Sequence, residues 1–427
     1  MTTRARVIRA MAIVLCCSPF AACGGAGGRA AAPVTPLAGR PAAPPPPRRP
    51  ALPAGADTCD PDAYYDFGRT QLRDHPAAAA AAYYWMQRLS PGTPNAYYSE
   101  RVALLLADRP TLRGYFNDEP HTLALPKVRR IDSLEVRAIE LDPFFPQYLE
   151  EHLIVAYYTF VILNDIRSQA SSSNGVREED VEDYVRTHVE DEVDPATRAW
   201  LQYARGDYLD AVAYWGSELR RDSTDSHLRA RRAKALFLAG AYDSARAELQ
   251  AALGAARRSD ARQMKYVYDS KELWEYELGW IDELQKRDSS AREHYQAALV
   301  ENLSFAPAHL RLAIVALRAR DTTGALTELG RATEIRDDDY ASHVLLGTLL
   351  AARRDFPGAT AQLRRAAEIE PWTAWPHFLL GNTRLDAGDR EGAAAEFTRY
   401  LALASRTDPN VERARRRLAD LPRAPVP

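Results

Sequence analysis

Small and apolar residues in the C-terminal half of this 427-residue chain recur in columns 34 positions apart. Leu278, Leu312, Leu346 and Leu380 form one column, and Gly279, Ala313, Gly347 and Gly381 follow them directly. Further along each period stand Ala291, Ala325, Ala359 and Ala393, then Tyr295, Leu329, Leu363 and Phe397, then Ala298, Ala332 and Ala366. Self-similarity at such a period marks an array of supersecondary units, each unable to bury its apolar face alone. The columns predict two helices per period, A and B, packed antiparallel across a short turn. The small residue within helix A and the Ala early in helix B let the two backbones approach. The Leu and aromatic columns fill the space between. Breakers fall where the pattern needs them: Ala387-Gly388-Asp389 lies between helices, and Glu370-Pro371 ends a helix B.

At these residues the pattern resembles the tetratricopeptide repeat family, with Leu-Gly in helix A, Ala-x-x-x-Phe in helix B, and then Pro. The unit with His377-Phe378-Leu379-Leu380-Gly381 and Ala393-Ala394-Ala395-Glu396-Phe397 carries the resemblance most fully. It departs from the family where Glu275, His309, His343 and His377 replace the early Trp of helix A. The resemblance implies an all-α, right-handed superhelix of helical hairpins that works by binding a protein partner, without catalysis and without a cofactor. It also places certain helix A residues on a concave groove. At the matching positions here these are Leu273, Tyr276, Trp280, Leu284, Leu310, Ile314, Leu317, Val344, Trp375, Phe378 and Asn382, with Trp200 and Tyr203 in an earlier unit. Such a row is apolar and aromatic, so it does not suit capture of a C-terminal carboxylate. Two readings stay open: a surface for an extended or helical partner segment, or a groove filled by the chain itself.

The period loosens toward the N-terminus. Ala211 and Ala245 are 34 apart, but Ala245 to Ala291 is 46, which places an insertion around Gly254 to Lys265 as a lengthened helix B or an extra loop. Tyr64 to Gly68 with Ala80 and Tyr84 makes another unit, and Arg137 to Pro143 reads as the end of a helix B. Loops are expected at Pro110 to Pro126 and at Ser168 to Gly175. The domain reading is an irregular helical region over 58–188, two units with the insertion over 192–271, four regular units over 272–407, and a capping helix over 408–421. That last helix carries Val411, Ala414 and Leu418 on one face, as an array needs to cover its terminal apolar surface.

The first residues have a different pattern. Arg4, Arg6 and Arg9 precede an apolar stretch from Ala10 to Phe20, too short to cross a bilayer core. Residues 1–22 read as a secretory signal. The end of that segment, Phe20-Ala21-Ala22-Cys23, resembles a bacterial lipoprotein box, which implies lipidation of Cys23 and a membrane anchor. Gly24 after the cysteine points, by analogy, to a periplasm-facing position on the outer membrane and not the inner. Residues 23–57 are rich in Pro, Ala and Gly and read as a disordered tether.

Composition and charge change this picture little. The net charge of −3 does not suggest a nucleic-acid partner, and the Arg runs at Arg229 to Arg232 and Arg413 to Arg417 read as solvated faces. Cys59 alone remains once Cys16, Cys17 and Cys23 are set aside, which excludes a disulfide framework. The column of His309, His343 and His377 tests poorly as a metal site, because helices packed about 8–10 Å apart cannot bring three such nitrogens within about 2 Å of one ion. The acidic stretch Glu178 to Asp194 lacks the alternation and Gly of a calcium loop, and reads as a solvated helix face with helix-start acids before Pro195. No phosphate-cradling loop, nucleophile elbow or zinc-protease motif is present, so no catalytic or metal residues are expected. A second reading for the many Tyr and Trp is stacking on envelope polysaccharide.

Overall fold

The computed structural model describes residues 47–108, 125–145, 148–169, 175–189, 193–262, 269–404 and 408–421. Every regular element among them is helical. They are α1 (Pro61–Gln71), α2 (Pro76–Leu89), α3 (Pro94–Ala107), α4 (Leu125–Leu141), α5 (Tyr148–Gln169), α6 (Glu178–His188), α7 (Pro195–Arg205), α8 (Tyr208–Arg221), α9 (Ser226–Leu238), α10 (Tyr242–Arg262), α11 (Lys271–Leu284), α12 (Asp288–Glu301), α13 (Ala306–Arg318), α14 (Thr322–Ile335), α15 (Tyr340–Ala352), α16 (Phe356–Ile369), α17 (Trp375–Asp386), α18 (Arg390–Leu403) and α19 (Val411–Ala419). None is long and apolar enough to cross a membrane. The described residues form two compact units, one of 49–89 and 93–337, the other of 338–421 with 47–48 and 90–92.

In the first unit α1 packs on α2, α3 on α4, α7 on α8, α9 on α10, α11 on α12 and α13 on α14. In the second, α15 packs on α16, α17 on α18, and α19 closes on α18. The columns of the sequence are the seams of these hairpins. Ala291, Ala325, Ala359 and Ala393 are all fully buried, as are Tyr295, Leu329, Leu363 and Phe397. A Cβ built on Gly381 stands 2.6 Å from the Phe397 ring, and one built on Gly279 meets Tyr295 in the same way. Helix A must therefore lack a side chain where the aromatic of helix B presses on it. The resulting fold is all-α, a 34-residue helical-hairpin array of the tetratricopeptide type with a terminal capping helix.

The turns repeat as well. Gly206, Gly240, Lys286, Arg320, Arg354 and Gly388, one in each turn from helix A to helix B, adopt positive φ between 59° and 98°. Asp321, Asp355 and Asp389 then cap helix B by accepting the N–H of Gly324, Gly358 and Gly392 at 2.8–3.0 Å. A polar rung crosses five hairpins between residues 19 apart. Arg229 meets Glu248 at 3.1 Å, Glu275 meets His294 at 2.7 Å, and His309 meets Glu328 at 2.6 Å. His343 meets Gln362 at 2.6 Å, and His377 meets Glu396 at 2.8 Å.

Several expectations need correction. In the first hairpin Tyr83, not Tyr84, presses on Gly68, and Ala79 takes the fully buried place given to Ala80. Gly68 and the Tyr83 that presses on it are one residue closer in sequence than Gly279 and Tyr295, which shifts the register. Residues 47–57 are not tether: Arg49 donates from Nε to the Tyr64 hydroxyl at 2.6 Å, and Leu52 packs against the core of α1–α4. The insertion needs no correction, since helix B is lengthened as expected: α10 runs for 21 residues where α12 and α14 have 14. Helix α4 already begins at Leu125 and α5 continues to Gln169, and the rest of both expected loops lies outside the described residues. The signal, Cys23 and the tether up to residue 46 lie outside the described residues.

Candidate interaction groove

Of the eleven groove residues, Tyr276, Trp280, Leu310, Val344 and Phe378 are buried and Leu273, Leu284, Ile314, Leu317, Trp375 and Asn382 are half-buried. None is fully exposed. The helix A surface is therefore largely filled, and in each unit the structure shows by what.

In the first unit the filler is the chain that leaves α4. Ile139 packs into the cluster of Tyr276, Ala308, Leu312 and Val315. Phe144 is fully buried and stacks on Phe237 of α9, with ring centroids 3.9 Å apart and planes at 15°, in the cluster that also holds Leu278 and Trp280. Phe145 lies against Tyr98 of α3 at 5.1 Å, with the Lys234 ammonium 5.7 Å from its ring. Arg311 of α13 donates from Nη2 to the Glu140 carbonyl at 3.4 Å. Helix α4 stops at Leu141 because Pro143 follows, as the sequence indicates, and the two aromatics after it dock on other helices, Phe144 on one 93 positions later in the chain. Local periodicity carries no trace of this contact; the only signal was the adjacent pair Phe144-Phe145 just beyond a helix stop.

In the second unit the cap does the filling. Phe378 shares a core with Phe397, Tyr400, Val411, Ala414 and Leu421. Trp375 stacks on Phe378 at 5.5 Å, and Arg417 of α19 donates to the Asn382 side-chain oxygen.

The apolar row also holds charge. Arg311 lies 3.8 Å above the Trp280 ring, a cation–π contact in a desolvated place. Glu283 receives the Tyr295 hydroxyl at 2.5 Å and Arg318 at 2.6 Å, and stands 3.8 Å from Arg311. Burial opposes the charge on Arg311, but Glu283, Tyr276 and Tyr295 more than compensate and hold its pKa above the ordinary value. Burial pushes the Tyr276 and Tyr295 hydroxyls up, so both stay neutral.

The remaining candidates resolve into structure. His309, His343 and His377 each bond to a helix B partner in their own hairpin. No group of three or more His, Cys, Asp or Glu among the described residues is placed to hold a metal ion. In the acidic stretch, Glu182 pairs with Arg69 at 2.9 Å and Asp194 caps α7 through the Ala196 and Thr197 N–H groups. The run at Arg229 to Arg232 is not a solvated face: Arg229 and Arg232 both bind Glu248, and Arg231 covers the Trp200 ring at 4.3 Å. Trp200 and Tyr203 pack with Trp215, so this earlier part of the row is also occupied. Arg413, Arg415 and Arg416 are exposed, and Cys59 is an exposed free thiol.

No protein-family model matches the chain, and no curated protein matches it. Among solved structures, the chain is similar to YrrB, a TPR protein with an unusual peptide-binding site, at 18% identity over 47% of this chain and 96% of that one, with a TM-score of 0.38. A fragment of MamA from Desulfovibrio magneticus RS-1 is 18% identical over 43% of this chain and 97% of its own, with a TM-score of 0.36. TTC0263, a thermophilic TPR protein of Thermus thermophilus, is 18% identical over 45% and 99%, with a TM-score of 0.31. The fold of this chain is fixed by its own hairpin register.

Proposed function

We propose that this protein is a cell-envelope scaffold, anchored through lipidated Cys23, that binds a protein partner along the helix A side of its hairpins. The observation that supports this most is a set of apolar side chains on that side left only half-buried: Leu273, Leu284, Ile314 and Leu317 in the first unit. Leu284 and Leu317 are the chain neighbours of the Glu283–Arg318 pair, so a partner segment would meet apolar contacts beside fixed charge. Nucleic acid and cofactors have no place in this reading. The polysaccharide alternative is not carried forward, because Arg311 covers Trp280 and Phe378 stacks on Trp375, taking one ring face of each platform.

Photo-crosslinking in the native envelope tests the groove. A photoreactive residue at Ile314 should give discrete partner adducts, whereas one at Val300, 83% exposed on α12, should not. Matching adducts from both positions, or none from Ile314, would overturn the assignment. Replacing Trp280 with Ala is a poor test, since emptying a buried site of that size costs about 3–5 kcal/mol. Cys23→Ser should move the protein from the membrane to the soluble fraction; unchanged fractionation would remove the anchor from the proposal.

A further inference from the structure

The chain that enters α1 is seated on the first hairpin by specific contacts. Arg49 donates from Nε to the Tyr64 hydroxyl at 2.6 Å and from Nη2 to the Thr58 carbonyl, and the Tyr64 hydroxyl donates to that same carbonyl at 3.2 Å. The guanidinium carbon of Arg49 lies 5.0 Å from the centre of the Trp85 ring and 5.5 Å from that of Tyr64. Arg88 also meets the Trp85 ring, at 4.3 Å, so this indole takes two cations. Three residues beyond Arg49, half-buried Leu52 packs into the apolar cluster of α1–α4 that holds Tyr64, Leu72 and Tyr83.

The sequence explains how this segment docks without joining a helix or a strand. It reads Arg49-Pro50-Ala51-Leu52-Pro53, and its two prolines fix φ and lower the entropy that ordering costs. A proline-rich chain runs with three residues per turn and about 3.1 Å per residue, which puts Arg49 and Leu52 on one edge about 9 Å apart. The burial pattern agrees, since Leu52 is half-buried while Ala51 and Pro53 are exposed. The Ala56 N–H closes a turn on the Pro53 carbonyl at 3.1 Å, so the extended stretch ends there. Asp57, Asp60, Asp62 and Asp66 line the chain around Thr58 and favour a cation beside it.

We propose that the Tyr64–Trp85 face of the α1–α2 hairpin is a recognition site for an extended Arg-Pro-x-Leu segment, filled in cis by residues 49–52. Cover for the end of a helical array requires apolar contact alone. Here the guanidinium has a seat of its own, made of two oxygen acceptors and two rings, beside the apolar seat of Leu52. Aromatic-lined surfaces of this kind take proline-rich chain in its extended form, and a planar guanidinium adds direction to the contact. The site lies outside the groove residues named above and needs neither that groove nor the lipid anchor.

Tethering decides what occupies the site. Leu52 and Tyr64 stand only 12 positions apart in the chain, so the strap meets its seat at an effective concentration on the order of millimolar. A free copy of the same segment competes poorly until the strap's own contacts are removed.

Peptide binding to the full chain reads this directly. A fluorescent peptide of residues 47–54 should bind the Arg49→Ala/Leu52→Ala chain, whose site is open, at least about tenfold more tightly than the parent, whose strap holds it. The same peptide carrying Arg49→Ala or Leu52→Ala should lose most of that binding. Tyr64→Phe added to the opened chain, a near-isosteric change, should weaken binding by removing the hydroxyl that Arg49 meets. Should the opened chain lose helix content, excess peptide should restore it. Equal binding by parent and opened chain, no binding by the opened chain, or binding that ignores Arg49 in the peptide overturns the proposal and leaves residues 49–52 as simple cover.

Discussion

Glu275 on α11 and His294 on α12 lie 2.7 Å apart, acid before base, whereas His309–Glu328 and His377–Glu396 bridge the same two places with base before acid. The backbone register therefore sets the rung, and the chemistry can run in either direction across it. Exchanging the pair, Glu275→His with His294→Glu, should recover most of what each single change loses. Each single substitution strands a buried polar partner and should cost about 1–3 kcal/mol. Urea unfolding of the four proteins measures the coupling, and a double variant no better than the sum of the singles would refute the equivalence.

The same residue predicts an acid limb. Burial alone would raise the Glu275 carboxyl, but hydrogen bonds from His294 and Arg257 outweigh it and hold its pKa below the ordinary 4.5. A depressed carboxylate contributes stability above its ordinary value and loses it as pH falls through the folded one. Glu275→Gln should therefore narrow its deficit to the parent protein as pH drops below about 4.5. Thermal melts from pH 3 to 6 would show the two curves converging; parallel curves would remove Glu275 from the account.

Lys286, Arg320 and Arg354 occupy the left-handed turn position that Gly206, Gly240 and Gly388 fill elsewhere. A side chain there costs about 1 kcal/mol relative to glycine. Arg320→Gly and Arg354→Gly should each raise stability by up to about 1 kcal/mol, additively across the two units. A loss of stability in either would mean that the arginine side chain contributes more than its backbone costs.

Gly347 and Gly381 share a column but not a neighbour. A Cβ at Gly381 meets the rigid Phe397 ring at 2.6 Å, and one at Gly347 meets the flexible Leu363 side chain at 2.7 Å. The hairpin with Ala313 opposite Leu329 already tolerates that second combination, with Leu329 fully buried. Gly381→Ala should cost about 1–3 kcal/mol by overpacking and Gly347→Ala under about 1 kcal/mol. Adding Phe397→Leu to Gly381→Ala should relieve the clash, which denaturant midpoints would register.

These particulars show where sequence reading stops. The Gly279, Ala291 and Tyr295 columns were legible because one seam, repeated at a fixed period, demands the same small and large residues each time. The turns were legible at Gly206, Gly240 and Gly388, but Lys286, Arg320 and Arg354 interrupt the glycines and hid the rest of that column. The rungs escaped notice because their chemistry changes from Arg229–Glu248 to Glu275–His294 to His343–Gln362 while only the spacing persists. A groove filled by the chain itself was one of the open readings, but the segment that fills it was invisible, since Phe144 reaching Phe237 is a contact between one irregular segment and a distant helix, with no periodic partner. Half-burial of the predicted groove was thus a property of the tertiary fold, and the helix A positions alone could not express it.

The cap offers the last test. Helix α19 covers Phe378, Phe397 and Tyr400 with Val411 and Ala414, and ties itself to α17 through Arg417 and Asn382. Burial raises the Tyr400 hydroxyl and Asp408 adds to it, so the phenol stays neutral beneath the cap. Ala414 is fully buried, and a long charged side chain there has no route to water without lifting the helix. Ala414→Arg should expose the aromatic end of the α17–α18 hairpin, lower its stability by about 2–4 kcal/mol, and create binding for a hydrophobic dye. Arg413→Ala, at an exposed site on the same helix, should do neither. If both variants melt alike and neither binds dye, α19 is a passive appendage and the terminal face of the array needs no cover.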